Sequence, residues 1–376
     1  MFTRIRLYYL LTQAAFGLYL PFINVYFKQE RGLSGREMGA LAAVAPLMAL
    51  LVAPVWGAAA DSRGSRLRVL RWALAGTAGG ALLLGLPDLF WPLLLTMGLF
   101  TLFQVAIIPL GDGVITAAAA GQNVSYGSLR LWGSIGFALG GVLFGQLGRW
   151  LGLRAMFPAY TLLMLLALPA VWRMVPHEPP PPAGERGQML ALLRDRPLAL
   201  FLVVAGLAAT GITAGYTFLH VFLGTLGAST GLMGVVSAVG ALAEAPLMLW
   251  SGRLIKKWGA RPVFAAGMGL FAISWGLYAV LQSPELALLI QVLNGAAMGL
   301  LWPAGVTFVA GRTPEGRTAT AQSLLGAVMY GVAPLIATQL AGGLFDVSGV
   351  RAVMGMAAGI MAAGVLLFAL TRGRDR

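Results

Sequence analysis

The chain has 376 residues, 59% of them hydrophobic and only 10% charged, with no cysteine. A soluble domain carries about 25% charged residues, so this chain has too few to cover a water-facing surface, and disulfides, thiolate metal sites and a cysteine nucleophile are excluded. The formal charge of +13 is read as membrane topology rather than nucleic-acid binding, because the basic residues fall between long apolar runs. The composition predicts an all-α polytopic membrane protein, in which each span satisfies its own backbone polar groups inside lipid.

Taken in order, twelve spans of bilayer-crossing length are predicted at residues 7–28, 37–57, 69–87, 92–119, 126–148, 155–174, 197–222, 231–251, 262–281, 286–310, 318–342 and 352–370. Turn chemistry such as Pro87-Asp88, Ser283-Pro284-Glu285 and Thr313-Pro314-Glu315-Gly316 separates them. The first span follows Met1 to Arg6 directly and is read as retained rather than as a cleaved leader. With the N-terminus inside, the inner segments and the span ends adjoining them hold 19 Lys and Arg, the outer loops and their adjoining span ends 6, and Arg130 lies deep within a span. This asymmetry predicts cytoplasmic N- and C-termini in the inner membrane of a bacterium. The longest polar gap, residues 175–196, contains Pro179-Pro180-Pro181-Pro182 and is read as a stiff cytoplasmic linker between a six-helix bundle at 1–174 and another at 197–376.

Ionisable residues inside spans are few and costly. Asp112 in span four and Arg130 in span five each lie nine residues from Gly121 in the intervening turn. In antiparallel helices that spacing places both about 13 Å deep, where they are expected to pair across a hairpin. Glu244 in span eight has no basic residue at matching depth on a sequence neighbour, and is expected to carry the coupling proton. Asp112 and His220, near the outer end of span seven, are further proton-coupling candidates. Arg130 is the candidate for holding a substrate anion, since its planar fork suits a carboxylate. Tyr19, Asn24, Gln104, Tyr216, Gln291, Asn294, Gln322 and Tyr330 are candidate substrate-binding residues, against the alternative that amides in a bilayer hold helices together. The glycines of span five, including Gly136 and Gly140, are expected to allow close helix packing.

The two halves repeat. Gly57-x-x-x-Asp61-Ser62-Arg63-Gly64-Ser65-Arg66 follows span two, and Gly252-x-x-x-Lys256-Lys257-Trp258-Gly259-Ala260-Arg261 follows span eight, offset by 195. Parallel six-span repeats are a transporter architecture with the substrate site near the midplane.

The spacing Gly57-x-x-x-Asp61-x-x-Gly64-x-Arg66 resembles the loop signature of the major facilitator superfamily, and the copy from Gly252 to Arg261 resembles its second-half echo. The resemblance covers essentially the whole chain and implies that family's fold of two six-helix bundles. It also implies a gate built from Gly57, Asp61, Gly64, Arg66, Gly252, Gly259 and Arg261, with the glycines permitting close helix approach. A narrower resemblance rests on Pro109-Leu110-Gly111-Asp112, on Tyr126-Gly127-x-x-Arg130-Leu131-Trp132-Gly133, on Ala243-Glu244-Ala245-Pro246 and on Arg317 to Gln322. These are similar to the branch holding phenylpropionate permeases, lactose permease relatives and nucleoside–proton symporters. It implies a non-enzymatic permease that takes up a small organic solute by alternating access with proton symport.

The chain departs from lactose permease in spans nine and ten, which here lack arginine, histidine and glutamate. It departs from drug–proton antiporters in span five, which lacks proline. An aromatic or other organic acid is the weakly favoured solute. A proton-coupled efflux antiporter is the alternative on the same fold, and a non-transporting receptor or partner subunit the alternative from another class. The expected partners are the solute and the bilayer, with no nucleic acid, no metal, no cofactor beyond the coupling proton, and a monomeric state. Gly227-Ala228-Ser229-Thr230-Gly231 matches a nucleophile-elbow pattern but lies in a turn between helices, so hydrolase chemistry is rejected.

Overall fold

The computed structural model describes residues 2–62, 66–119, 126–172, 174, 194–313 and 318–371, and they are almost entirely helical. The chain divides into two compact units, Met1–Pro181 with Gly227–Ala238, and Pro182–Leu226 with Val239–Arg376.

In the first unit the helices are α1 (Phe2–Tyr19), α2 (Ile23–Gln29), α3 (Gly35–Leu51), α4 (Ala53–Ser62), α5 (Arg66–Leu84), α6 (Phe90–Ala119), α7 (Tyr126–Leu151) and α8 (Met156–Trp172). The first predicted span is α1 and α2 with a turn at Pro21, and the second is α3 and α4 interrupted at Val52. Each interruption lies at or just before a proline, Pro21 or Pro54, whose missing N–H leaves a carbonyl of the preceding turn without its partner. The start of α3 is fixed by a capping box: the Glu37 N–H donates to Ser34 Oγ at 3.2 Å, and the Ser34 N–H donates to Glu37 Oε2 at 2.8 Å. Helix α1 packs on α7 and α8, α5 on α6 and α8, and α3 on α6. At one end the connections are tied by Arg31–Asp88 at 2.8 Å, by Arg154 Nε donating to the Gly85 carbonyl at 3.0 Å, and by the Leu153 N–H donating to Glu30 Oε1 at 3.0 Å.

The remaining helices are α9 (Arg196–Thr225), α10 (Thr230–Trp258), α11 (Ala260–Val280), α12 (Ala287–Arg312), α13 (Thr318–Ala327) and α14 (Ala333–Leu370), with one π-helical turn at Val328–Val332. In the second unit α9 packs on α14, and α11 on α12 and α14. These pairings reproduce those of the first unit, as a sequence repeat requires.

The start of α10 with the turn before it, Gly227–Ala238, groups with the first unit. Glycines are the cause. A Cβ on Gly145 of α7 would lie 2.6 Å from the Thr230 carbonyl oxygen, and the Thr230 hydroxyl donates to the Gly145 carbonyl at 2.8 Å.

Among the described residues eleven helices are long and apolar enough to cross a membrane. The last of them, Thr320–Leu370, has 51 residues, about 76 Å at 1.5 Å per residue, against a hydrocarbon core of about 30 Å. It is broken at Gly349, where φ is 78° and ψ 176°, so its length is that of two crossings. Large apolar side chains face outward on both units, as with Leu95 at 76% and Leu249 at 82% exposure. Surfaces of this kind suit lipid as solvent.

Candidate functional site

The polar centre of the first unit is assembled by glycines. A Cβ on Gly136 or Gly140 of α7 would fall on the backbone of Leu10 or Ala14, and one on Gly17 of α1 would fall on Phe137. Backbones this close need small residues at the crossing. The same approach brings the Tyr9 ring beside Gly133. Tyr8 is set by α6: its hydroxyl donates to the Ile107 carbonyl at 3.0 Å, in space that a side chain at Gly111 would fill.

Asp112 lies at the centre of this arrangement. Arg130 Nη1 donates to Asp112 Oδ2 at 2.9 Å, and the Tyr9 hydroxyl donates to Asp112 Oδ1. The pair joins α6 and α7 across the hairpin, as the equal spacing from Gly121 predicts. The Arg130 side chain is 45% exposed and that of Asp112 28%, so neither is sealed in the core. Tyr9 was not among the sequence candidates. Its signal is weak, since one tyrosine in an apolar run carries no charge and no motif.

Tyr19 and Gln104 do not line open space. Tyr19 is buried against Phe100 and Tyr160, with its hydroxyl 3.5 Å from Met97 Sδ. Gln104 is also buried, and its Nε2 makes no hydrogen bond among the described residues. Both belong to the core of the first unit rather than to a cavity wall. Asn24 is partly buried on α2.

The second unit gathers another group. The Tyr216 hydroxyl has Glu244 and Gln291 as polar neighbours. Gln291 Oε1 accepts from Tyr278 at 3.0 Å and from Asn294 Nδ2 at 3.1 Å, and Asn294 Oδ1 accepts from Ser274. Gln291 and Asn294 are 3% and 0% exposed. They therefore bind α12 to α11 instead of facing a solute, and span nine, which holds no charged residue, supplies Ser274 and Tyr278. Glu244 is partly buried, and its backbone rests on Gly295 and Gly299 of α12. His220 is buried at 8% exposure. Gln322 donates to the Val306 carbonyl at 2.8 Å, which ties α13 to α12. Tyr330 lies in the π-helical turn, 57% exposed, with its ring centroid 5.2 Å from that of Trp302.

The repeated loops correct one expectation. A Cβ on Gly57 or on Gly252 would meet nothing within 4 Å, so neither glycine mediates close helix approach in this conformation. Beside Gly57 lies a cavity of about 230 Å³ lined by Ala53, Trp56, Arg66, Pro109 and Gly113 among others. Gly259 is required by its φ of 87°, a left-handed turn that other residues adopt at a cost. Arg261 donates to the Phe368 carbonyl and, at 2.7 Å, to Thr371 Oγ1, so it caps the end of α14. Gly64 and the Asp61 side chain lie outside the described residues.

The model of the MFS_1 like family matches residues 2–355. The maltose permease of Geobacillus stearothermophilus is 29% identical over 98% of this chain and 94% of that protein. The probable 3-phenylpropionic acid transporter of Escherichia coli is 26% identical over 89% of each. The crystal structure of the nucleoside transporter NupG superposes with a TM-score of 0.87 at 15% identity, covering 98% of both chains, a likeness of fold. These relatives are permeases and transporters rather than enzymes. Described residues that are almost entirely helical, a charged pair within apolar helices, and a family match over most of the length are accounted for in one way: the chain belongs to the MFS_1 like family of major facilitator superfamily membrane transporters.

Proposed function

We propose that the chain takes up a small organic acid by alternating access with proton symport, through twelve crossings arranged as halves 1–174 and 197–376 joined by the linker 175–196. The observation that carries this reading is the half-exposed Arg130–Asp112 pair, held at 2.9 Å within apolar helices and shared with Tyr9. Such a pair has a solute-dependent alternative: a substrate carboxylate takes the place of Asp112 on the Arg130 fork. Glu244, beside Tyr216, is the second carboxyl and takes the coupling proton. The excess of basic residues in alternate loops supports cytoplasmic termini in a bacterial inner membrane, and the protein works as a monomer.

A second reading, a neutral sugar as substrate, is supported by the 29% identity to a maltose permease. Asp112→Asn separates the two. For an acid, removing the competing carboxylate frees Arg130, and KM falls or stays level. For a sugar that hydrogen-bonds both members of the pair, the same change removes a charged acceptor worth about 1.5–3 kcal/mol, and KM rises at least tenfold.

The test of function is proton movement in proteoliposomes carrying an internal pH dye, with organic acids, sugars and nucleosides added in turn. Internal acidification on adding one compound establishes symport, and internal alkalinisation establishes the antiport alternative. Uptake of label without any pH change rejects proton coupling. Glu244→Gln is expected to abolish accumulation driven by an acidic exterior while preserving solute exchange at equal concentrations. Accumulation retained in that variant moves the coupling site elsewhere.

A further inference from the structure

The last turns of α10 carry three cations that belong to the topology-setting excess of basic residues and leave their side chains open to a ligand. Arg253, Lys256 and Lys257 are all exposed, and none makes an ion pair or a side-chain hydrogen bond among the described residues. The Lys257 ammonium stands 5.6 Å from the ring centroid of its neighbour Trp258. Other basic residues in or near the repeated loops are engaged. Arg261 caps α14 through Phe368 and Thr371, and Arg71 Nε donates to the Leu67 carbonyl at 3.2 Å. The helix C-terminus explains only part of the charge, because its dipole amounts to about half a negative charge against three positive ones.

What precedes these cations is equally specific. Leu249 is 82% exposed and Trp250 58%. On a helix of 3.6 residues per turn, Leu249, Arg253 and Lys256 share one face at i, i+4 and i+7, as do Trp250, Arg253 and Lys257 at i, i+3 and i+7. The stripe therefore runs from an exposed leucine and indole into three ammonium and guanidinium groups. That order, apolar then aromatic then cationic, matches acyl chain, interface and head group along a lipid.

We propose that the end of α10 is a binding site for an anionic phospholipid of the phosphatidylglycerol class. The head-group phosphate lies among Arg253, Lys256 and Lys257, and an acyl chain lies along Trp250 and Leu249. The site makes no use of the transported solute, so its failure leaves the transport reading intact. With cytoplasmic termini the end of α10 lies on the cytoplasmic side, so the inner leaflet supplies the lipid.

The test is native mass spectrometry of the full-length purified protein, titrated with phosphatidylglycerol or phosphatidylcholine and, separately, with inorganic phosphate as competitor. The wild type is expected to retain phosphatidylglycerol at least tenfold more tightly than phosphatidylcholine. Each charge removed weakens attraction to an anionic lipid about fivefold, so Arg253→Gln/Lys256→Gln/Lys257→Gln together lose about a hundredfold for phosphatidylglycerol and leave phosphatidylcholine unchanged. Lys256→Arg/Lys257→Arg keeps the charge and the affinity. If the triple variant does not fold, single Arg253→Gln and Lys256→Gln proteins carry the test at about fivefold each. Equal retention of both lipids by the wild type, or undiminished phosphatidylglycerol binding in the variants, overturns the proposal. Displacement by inorganic phosphate at concentrations equal to the lipid also overturns it, in favour of a site for soluble anions.

Discussion

Tyr9 is where a single atom decides how Asp112 is held. Its hydroxyl and Arg130 Nη1 occupy different oxygens of the one carboxylate, so each donor fixes a direction the other leaves free. Tyr9→Phe removes one charge-assisted bond, worth about 1.5–3 kcal/mol, and keeps the ring that packs beside Gly133. The expected result is a transport rate at least tenfold lower, with a melting temperature lowered by no more than that one bond accounts for. In an Asp112→Asn background the same substitution is expected to have a much smaller effect, because residues within one hydrogen-bonded group are not additive. Equal effects in both backgrounds would show that Tyr9 acts through packing alone. The charged pair was legible from spacing, since charge inside a span is rare and depth follows from residue count. Tyr9 was not legible, because which tyrosine of the Tyr8-Tyr9 pair meets Asp112 depends on how α1 is rotated against α7, and one sequence does not state that rotation.

At the scale of elements, glycines of the same type do opposite things. On α7 a Cβ at Gly140 would fall on the Ala14 carbonyl oxygen, a backbone atom unable to yield without moving α1. Gly140→Ala is expected to cost about 1–3 kcal/mol by overpacking, measured as a lower melting temperature in detergent, and to reduce transport by shifting Tyr9. Gly57→Ala adds a methyl where nothing lies within 4 Å, and alanine is the better helix former by about 1 kcal/mol, so its melting temperature stays level or rises. Comparable destabilisation by the two substitutions would contradict the packing described. The glycine-rich pattern of α7 announced a close crossing correctly. The repeated loop glycines did not behave as close-approach residues in this conformation, because a spacing signature records that glycine is present without recording which conformation uses it. The amides of span ten show the same limit. Gln291 and Asn294 were named as candidates from their polarity within an apolar run, and hydropathy says nothing of the face by which they turn toward Ser274 and Tyr278.

For the whole molecule the open quantity is the number and direction of crossings, and the absence of cysteine makes it directly measurable. The final 51-residue helical stretch holds a non-helical Gly349 and an exposed Val347 at 78%. If the break is a turn outside the membrane, residues on either side of it cross in opposite directions and Val347 meets water on the outer face. Gly311, at the far end of α12, is also exposed, and a Cβ there meets nothing within 4 Å, so it accepts a substitution without strain. With cytoplasmic termini, as the 19 to 6 division of basic residues indicates, Val347→Cys is expected to react with a membrane-impermeant maleimide on intact cells. Gly311→Cys is expected to react only after permeabilisation. The reverse pattern would invert the topology while keeping twelve crossings. Protection of Val347→Cys in both preparations would mean that the stretch does not turn in water at Gly349, and the two six-crossing halves would no longer stand. The charge asymmetry and the Gly349 break are independent properties of the chain, one spread over many loops and the other a single backbone angle, so their agreement in this labelling would fix both the count and the sense of the fold.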